Sequence, residues 1–302
     1  MRLPETGHDP VLVREVTDAL VPAGLARGTY VDCTLGRGGH ARVLGELVGE
    51  GGTLVGMDAD EKNLQFAATQ LENLKCTRRL FHANFAELGE VLGLAGLKKV
   101  NAVLADLGVS TNQLFDPAYG MSMSVDGDLD MRLDRGRGVS AGEIVNRWPE
   151  ERIADVIYEN ADERLSRRIA RKITAERRVG PIKGTKQLAD IVRSAIGNRG
   201  DPGLIDPATR TFQALRMEAN REVENLGKLL RLAPGFLSEG GRLAVISFHS
   251  GEDRLVKQAF KLAEESGLFR VVGRKPISPM EAEIAVNPRS RSAKLRVLER
   301  HA

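Results

Sequence analysis

The sequence predicts an α/β fold with a mostly parallel sheet, interrupted by an all-helical insertion. Strand-like runs alternate with segments of helical period over the first 106 residues, and the alternation returns after residue 209. The residues between, 111–209, contain no convincing buried strand. A chain of 302 residues has room for roughly two domains of about 150 residues each.

Strand-and-helix repeats account for the first part of the chain. The strand-like runs cover 30–35, 53–57, 79–82 and 100–105, and helical segments follow the first three at 41–51, 61–74 and 86–94. Such an order predicts a parallel sheet with helices on its faces. Residues at the carboxyl ends of these strands then lie where open sheets bind ligands.

Helices dominate the insertion, and strands return after it. Ser140 and Glu143 have the spacing of a capping box, and further helices are predicted over 163–178 and 185–196. One long helix is predicted from Pro207, capped by Asp206, then a strand over 242–248, a helix from Glu252 and strands near 269–272 and 293–299. The predicted organisation is a first part over 1–110, an insertion over 111–209 and a second part over 210–302.

Composition excludes several classes of protein. Hydrophobic residues make up 42% and charged residues 28%, with a mean hydropathy of -0.23, as in ordinary globular proteins and unlike disordered or fibrous ones. Cys33 and Cys76 form no CxxC pattern, which argues against a zinc site or a disulfide scaffold and favours buried, reduced thiols. The amino-terminal MRLPETGHDP lacks the apolar core of a signal peptide, and no run approaches the ~18 apolar residues of a membrane helix. We therefore expect a soluble, cytoplasmic protein without membrane contact.

The net charge of +3 hides segregated charge. Residues 111–163 hold 5 basic and 12 acidic side chains (−7), residues 164–209 hold 11 and 4 (+7), and residues 254–302 hold 11 and 5 (+6). Two basic stretches flanking the ligand-binding half predict contact with a phosphate backbone. From charge alone, the solvated face of an amphipathic helix explains Arg167, Arg168, Arg171 and Lys172 equally well.

A glycine turn and a spaced carboxylate predict a nucleoside cofactor. Gly36, Gly38 and Gly39 follow the first strand, so the backbone can turn tightly and approach a ligand. Asp58 ends the next strand, where a carboxylate can accept both hydroxyls of a ribose. These two features do not choose between NAD and S-adenosylmethionine.

The end of the fourth strand favours S-adenosylmethionine. The loop DLGVS at 106–110 resembles the Asp/Asn-Pro-Pro-aromatic loop of enzymes that methylate exocyclic amino groups. The lone pair of such an amine is delocalised into the base, so the transfer needs acceptors aimed at the charge that the amine gains. Asp106 is therefore the candidate catalytic residue, although a carboxylate at the end of a strand is otherwise often a helix cap.

Nine motifs, in order along nearly the whole chain, resemble those of one known family. They are His8-x-Pro10-Val11, YVDCTLGRGGHA from 30, DAD from 58, HANF from 82, LADLGVS from 104, DGDLDMRLD from 126, PATRTFQALR from 207, RLAVISFHSGEDRLVK from 242 and NPRSRSAKLRVLER from 287. The family is RsmH, also called MraW. The resemblance implies a Rossmann-like, S-adenosylmethionine-dependent methyltransferase that modifies N4 of a cytosine in the decoding region of 16S ribosomal RNA, within the small ribosomal subunit. It also implies that the insertion recognises RNA, and it leaves the oligomeric state open, a homodimer included.

The resemblance also implies roles for individual residues. S-adenosylmethionine would be bound by Gly38, Gly39 and His40 at its methionyl end, by Asp58 at the ribose, by Phe85 at the adenine, and by Asp106 and Gln113 in the rest of the pocket. His249 and Ser250 would lie at the same edge, the simpler interpretation being a turn histidine and a helix cap. Arg210, Gln213 and Arg216 would face RNA or form pairs within the chain.

The chain departs from the family pattern around the substrate. Thr111-Asn112 replaces Ser-Pro, YGMSM at 119–123 replaces RGFSF, NADER at 160–164 replaces YGEER, and Gly251 replaces a leucine. Tyr119 is then the candidate for stacking on the target base, and Trp148 is assigned to the core.

The acidic run DGDLD at 126–130 does not fit a calcium loop. Met131 stands where such a loop needs a glycine, and no terminal bidentate glutamate follows. An acidic loop organised by Arg132 and Arg135 is favoured, and no metal site is predicted.

Three alternatives to cytosine-N4 methylation stay open. A methyltransferase of this fold could act on another RNA amino group. The glycine turn also suits an NAD-dependent oxidoreductase. A ribosome-assembly factor would bind the same RNA without catalysis.

Overall fold

The computed structural model describes residues 10–197 and 206–301, so the motif residue His8 lies outside the described residues. The chain divides into two compact units. Unit 1 comprises 1–108 and 224–302, and unit 2 comprises 109–223. The predicted insertion, 111–209, ends 14 residues before unit 2 does, because Phe212, Ala214 and Leu215 belong to the apolar core of unit 2.

Unit 1 is built on a seven-stranded sheet in the order β3-β2-β1-β4-β5-β7-β6. The strands are β1 Thr29–Asp32, β2 Thr53–Asp58, β3 Thr77–His82, β4 Val100–Asp106, β5 Leu237–Ser247, β6 Phe269–Ile277 and β7 Lys294–Arg300. β1 to β5 are parallel, whereas β7 runs antiparallel to both β5 and β6. This topology confirms the predicted Rossmann-like α/β fold.

Both faces of the sheet are covered, because alternate residues of each central strand enter different apolar clusters. Tyr30 and Leu54 belong to one cluster, and their chain neighbours Val31 and Val55 belong to the other. Strands buried on both faces read as nearly continuous apolar runs, which is why 53–57 and 100–105 were recognisable from sequence.

Thirteen α-helices lie in the described residues. They are α1 Val13–Leu20, α2 Gly39–Val48, α3 Glu61–Gln70, α4 Leu88–Leu94, α5 Thr111–Phe115, α6 Ala141–Arg147, α7 Glu150–Ala161, α8 Ser166–Val179, α9 Thr185–Ile196, α10 Thr209–Ala219, α11 Glu222–Phe236, α12 Ser250–Glu265 and α13 Glu281–Val286. No helix in the part of the chain that the structure describes is long and apolar enough to cross a membrane.

The single long helix predicted from Pro207 is wrong. The chain forms α10 and α11, separated at Asn220 and Arg221, where Arg221 has a left-handed φ of 49°. Asn220 holds this break, since its Nδ2 donates to the Met131 carbonyl at 2.7 Å and its Oδ1 accepts the Leu133 N–H at 2.8 Å. Such long-range bonds leave no local signal in the sequence.

Unit 2 is helical, and its described residues contain no strand, only an isolated bridge between Asp128 and Gly184. Its core gathers apolar residues from α6 to α10. The predicted capping box at Ser140 is formed in part: the Ser140 hydroxyl accepts the Glu143 N–H at 3.1 Å.

Candidate active site

Three carboxylates end three neighbouring strands of unit 1. Asp32 is the last residue of β1, Asp58 of β2 and Asp106 of β4. These strands are adjacent and parallel, so the three residues stand at one edge of the sheet. Carboxyl edges of open α/β sheets are where ligands bind.

The glycine turn between β1 and α2 adopts conformations that side chains disfavour. Gly36 has a φ of 53° and Gly38 a φ of 84°, both in the left-handed region. The Gly38 N–H donates to the Leu35 carbonyl at 2.8 Å, which closes the turn, and α2 begins at Gly39. The turn therefore brings backbone and a helix amino terminus to the edge that the carboxylates occupy.

Asp58 is held by two backbone donors. Its Oδ2 accepts the Gly36 N–H at 2.6 Å and its Oδ1 accepts the Asp60 N–H at 2.8 Å, so the carboxylate is fixed against the glycine turn. Each oxygen keeps a second lone pair, which suits a carboxylate that binds two vicinal hydroxyls. Burial is the main cause that raises the pKa of Asp58 to about 7, although the two hydrogen bonds lower it.

Asp106 presents an unsatisfied acceptor. Its Oδ1 is buried and has no hydrogen-bond partner among the described residues, while its backbone N–H donates to Thr34 Oγ1 at 2.6 Å. Burial, followed by the charges of Asp32 and Glu252, raises the pKa of Asp106 well above its usual value. A buried acceptor without a partner is costly, which points to a ligand group that donates to it.

His40 faces Asp106 from the first turn of α2. The ring is buried, with Nε2 2.8 Å from the Val11 carbonyl and Nδ1 3.8 Å from Asp106 Oδ2. A carbonyl only accepts, so Nε2 carries a proton. His40 therefore ties the segment before α1 to the predicted cofactor edge.

Sequence reasoning missed Asp32. It is 1% exposed, it accepts the Tyr30 hydroxyl at 3.0 Å and the Thr34 N–H at 3.2 Å, and burial raises its pKa to about 6. Because Thr34 Oγ1 accepts the Asp106 N–H, Asp32 is linked through Thr34 to Asp106. The signal was present, since Asp32 ends a strand as Asp58 and Asp106 do.

Phe85 lies beyond the end of β3. Asp58 and His82 are register partners, and the Ala83 N–H donates to the Asp58 carbonyl at 3.0 Å. A short 3-10 turn, Phe85–Glu87, follows, capped by Asn84, and the Phe85 ring is half-buried. The structure thus brings Phe85 to the Asp58 side of the edge.

His249 and Ser250 follow β5 at the same edge. His249, not Ser250, caps α12: its Nδ1 accepts the Glu252 N–H at 3.4 Å, and Ser250 is the first helical residue. The simpler interpretation of Ser250 as the helix cap is therefore wrong, because His249 holds that position. Glu252, which sequence reasoning did not single out, is buried, accepts the Phe248 N–H at 2.9 Å and lies 3.2 Å from His249 Nε2.

Five predicted residues belong to unit 2, where the structure gives several of them internal partners. Gln113 is buried and caps α5, since its Oε1 accepts the Ser110 N–H at 2.9 Å; the pattern Ser-x-x-Gln is a capping box that sequence reasoning overlooked. Tyr119 is 6% exposed and packs in the core of the unit, a placement that does not support stacking on a base.

The three predicted residues of α10 differ in exposure. Arg216 forms two hydrogen bonds of 2.8 Å with Glu222, which is the pairing within the chain that the sequence left open. Gln213 is half-buried, with its Nε2 3.8 Å from Met217 Sδ. Arg210 is exposed and lies 3.9 Å from Glu163.

The acidic run 126–130 is organised as the sequence suggested. Asp130 accepts from Arg132 Nε at 2.6 Å and lies 3.4 Å from Arg135 Nε. Asp126 caps α9, since its Oδ1 accepts the Lys186 N–H at 3.0 Å. The carboxylates of Asp126 and Asp130 therefore have partners within the chain.

The residues present fit an adenosine-containing cofactor. Asp58 is fixed for a ribose, the glycine turn admits close approach, and Asp106 offers a buried acceptor without a partner. With the strand order of the sheet and its antiparallel β7, these features define the Rossmann-like class of S-adenosylmethionine-dependent methyltransferases.

Comparison with known proteins supports this assignment to the methyltransferases. The MraW methylase family matches residues 5–301, and the chain belongs to that family. The family predicted from the motifs, its methyltransferase activity and its cofactor S-adenosylmethionine are thereby confirmed.

Similar proteins come from several bacteria. The chain is 44% identical over 299 residues to "Ribosomal RNA small subunit methyltransferase H" of Fervidobacterium nodosum, covering 97% of each chain. It is 43% identical to the protein of the same name from Sorangium cellulosum, covering 97% of this chain and 90% of that one. Among solved structures, TrmN from Thermus thermophilus aligns with a TM-score of 0.44 and 12% identity, over 96% of this chain and 48% of that chain.

Proposed function

We propose that this protein transfers the methyl group of S-adenosylmethionine to N4 of a cytosine in 16S ribosomal RNA, on the small ribosomal subunit in the cytoplasm. Membership of the MraW methylase family and the printed name of the relatives support the reaction and the RNA. The observation in the structure that carries the chemistry is the buried Asp106 Oδ1, an acceptor without a partner among the described residues.

The edge of the sheet supplies the binding groups for the cofactor. We assign the ribose hydroxyls to Asp58, the adenine to Phe85, and the methionyl end to Gly38, Gly39 and His40. The cofactor supplies an activated methyl group when bound. The fixed carboxylate of Asp58 and the closed glycine turn are in place before binding, which reduces the entropy lost on association.

Asp106 can serve as a hydrogen-bond acceptor and as a base for the amino group of cytosine. The N4 lone pair of cytosine is delocalised, so N4 becomes a better nucleophile when its hydrogens meet an acceptor. On accepting the methyl group that the cofactor would supply, N4 gains positive charge and must lose a proton. A carboxylate whose burial raises its pKa is a stronger base than an ordinary aspartate, so Asp106 both orients the amine and accepts this proton. No covalent bond between enzyme and base is needed.

Unit 2 contributes the groups proposed to recognise RNA. Arg210 is exposed and only weakly paired, so it is available to a phosphate. Arg216 is engaged with Glu222, and we assign it to holding the junction of α10 and α11. Gln213 stays a candidate contact. We do not assign base stacking to Tyr119, whose ring packs in the core.

Replacement of Asp106 tests the proposal. Asp106→Ala should reduce methyl transfer to small subunits by at least about 10²-fold, the usual cost of losing one aligned electrostatic partner in the transition state. Transfer from labelled S-adenosylmethionine to purified small subunits gives the rate, and thermal unfolding shows whether the variant folds. Asp18→Ala, at an exposed aspartate of α1, is the matched control and should keep the wild-type rate. A folded Asp106→Ala variant with wild-type turnover would contradict the assignment.

A further inference from the structure

Each of the two basic stretches contains cations that acids neutralise and cations that they do not. In residues 164–209, Arg167 lies 2.7 Å from Asp155, Lys172 2.6 Å from Glu176, and Arg193 2.6 Å from Asp206. Arg177 donates to two backbone carbonyls. Part of this stretch is therefore satisfied inside unit 2, whose acidic block also offsets its charge. Four further cations of the stretch are exposed and have no side-chain partner among the described residues: Arg164, Arg168, Arg178 and Lys183.

In the basic stretch of unit 1, residues 254–302, the cations near one edge of the sheet differ from those near the other. At the amino end of β6, Arg270 lies 2.6 Å from Glu299, and on the last turn of α12 Lys261 lies 3.8 Å from Glu265. Nearer the carboxyl edge, five basic residues are exposed and have no acidic or hydrogen-bonding partner among the described residues: Arg254, Lys257, Arg274, Lys275 and Arg291. We call these five residues the β6 basic surface.

Strand register places the β6 basic surface beside the active site. Asp106 pairs with Ile246, Ile246 with Leu295, and Leu295 with Ile277. These four residues form one row across β4, β5, β7 and β6. Three strand spacings of about 4.8 Å put the end of β6 roughly 14 Å from Asp106.

A distortion of β6 turns two of the cations outward. From Val272 to Ile277 the strand advances five residues while its partner advances two, from Val297 to Leu295, so β6 holds three extra residues there. Gly273, with a φ of 80°, begins this bulge, which carries Arg274 and Lys275. Bulges at sheet edges re-aim side chains, and here both basic side chains are exposed.

The other three cations come from segments that meet the same edge. Arg254 and Lys257 lie in the first two turns of α12, which starts three residues after β5 ends. Arg291 lies in the 3-10 turn Pro288–Ser292, just before β7 begins at this edge.

Acids near the surface are few and mostly engaged. Asp253 lies 2.7 Å from Arg296 and 3.5 Å from Lys294, and Glu283 accepts the Leu12 N–H at 2.8 Å. Glu281 and Glu264 are exposed, and Glu264 accepts the Val271 N–H of β6 at 2.9 Å. The five cations of the surface therefore outnumber the solvated acids. Clustered cations without acids match a polyanion whose charges are spaced along a chain.

We propose that the β6 basic surface binds the phosphate backbone of the RNA whose target base reaches Asp106. The inference rests on the proposed function, and it assigns backbone contacts to the catalytic unit itself rather than only to the helical insertion. Cations that hold phosphates fix the position of the strand without reading its sequence.

Two triple variants with the same change in charge test the surface. The test variant is Arg274→Gln, Lys275→Gln and Arg291→Gln. The control is Lys75→Gln, Lys98→Gln and Arg231→Gln, which removes three exposed cations from unit 1; Lys75 and Lys98 precede β3 and β4 at the opposite edge of the sheet. Thermal unfolding and the Kd of S-adenosylmethionine establish that both variants keep their fold.

Salt dependence of RNA binding gives the main readout. The dissociation constant for a 16S ribosomal RNA transcript is measured from 50 to 200 mM salt. Three lost contacts to a single strand lower the slope of log Kd against log salt by about 2, so wild-type affinity should fall about 20-fold more than that of the test variant over this range. The KM for small subunits should rise in the test variant, and the control should match wild type.

The outcomes separate this inference from the proposed function. Equal slopes for wild type and both variants would overturn the assignment of the surface. If the surface instead binds an acidic protein, the RNA slope and the KM for small subunits will be unchanged in the test variant. That result would also overturn the assignment. Absence of methyl transfer by the wild-type protein, with the difference in slope retained, would refute the proposed function and support the surface.

Discussion

Protonation of Asp58 should control how tightly the protein binds adenosine. The carboxylate is fixed by the Gly36 and Asp60 N–H groups, and its remaining lone pairs are assigned to the ribose hydroxyls. Burial raises its pKa to about 7, so the acceptor is largely charged at pH 8 and largely protonated at pH 6. If binding needs the charged form, the Kd of adenosine should be about tenfold higher at pH 6 than at pH 8.

Two matched changes assign that effect to Asp58 and to the ribose. Asp58→Asn keeps the shape but turns an amide NH2 toward one of the two backbone donors, so the Kd should rise and lose most of its pH dependence. Loss of one hydrogen bond to a charged acceptor costs about 1.5–3 kcal/mol, which corresponds to about 10- to 150-fold in Kd. 2′-Deoxyadenosine, which lacks one hydroxyl, should lose a similar factor with wild type and little with the variant.

Calorimetry at pH 6, 7 and 8 is the assay. Adenosine is preferred to S-adenosylmethionine as the probe, because it has no α-amino group that titrates in this range. A wild-type Kd that is flat between pH 6 and 8 would refute the role of the Asp58 charge. Equal losses with 2′-deoxyadenosine for wild type and Asp58→Asn would show that the carboxylate does not contact the ribose.

Two further predictions concern the packing of each unit. Gly56→Ala would place a Cβ 2.8 Å from Leu80 and 2.9 Å from Leu35, so it should lower the free energy of unfolding by about 1–3 kcal/mol. The control is Gly93→Ala in α4, whose new Cβ meets nothing within 4 Å and should not destabilise the protein. Equal midpoints of unfolding in urea for the two variants would contradict the packing argument. Asn220→Ala removes the bonds that hold the break between α10 and α11 and should cost about 1–3 kcal/mol, against no loss for the exposed Asn73→Ala. An Asn220→Ala variant as stable as Asn73→Ala would show that these bonds do not maintain the break.

The central part of the fold could be predicted because its signals are local. Buried parallel strands leave apolar runs, and the strands that the first, second and fourth runs predict, β1, β2 and β4, end at the active edge. The glycine turn and Asp58 were recognisable for the same reason, since both follow directly from where a strand stops.

Features that depend on distant partners could not be predicted. The break at Asn220 depends on Met131 and Leu133, which are almost ninety residues earlier in the chain. Engagement of Arg216 by Glu222 and exposure of Arg274 are equally invisible in composition. Sequence alone does not show which cations of a basic stretch pair with acids and which stay exposed without a partner.

Local signals were also overlooked. Asp32 ends a strand, and Ser110 and Gln113 have the spacing of a capping box. The family resemblance places Gln113 in the cofactor pocket and implies no role for Asp32. Asp32 now connects Tyr30, Thr34 and Asp106 in one hydrogen-bonded chain at the active edge.

The identity of the methylated nucleoside tests the central claim most directly. Purified small ribosomal subunits from a strain that lacks this gene are incubated with the protein and methyl-labelled S-adenosylmethionine, and the digested RNA is analysed by mass spectrometry. Label in N4-methylated cytidine at a single site of 16S ribosomal RNA is the expected result. Label in a different nucleoside, or no transfer by a protein that binds nicotinamide cofactor and not S-adenosylmethionine, would contradict it.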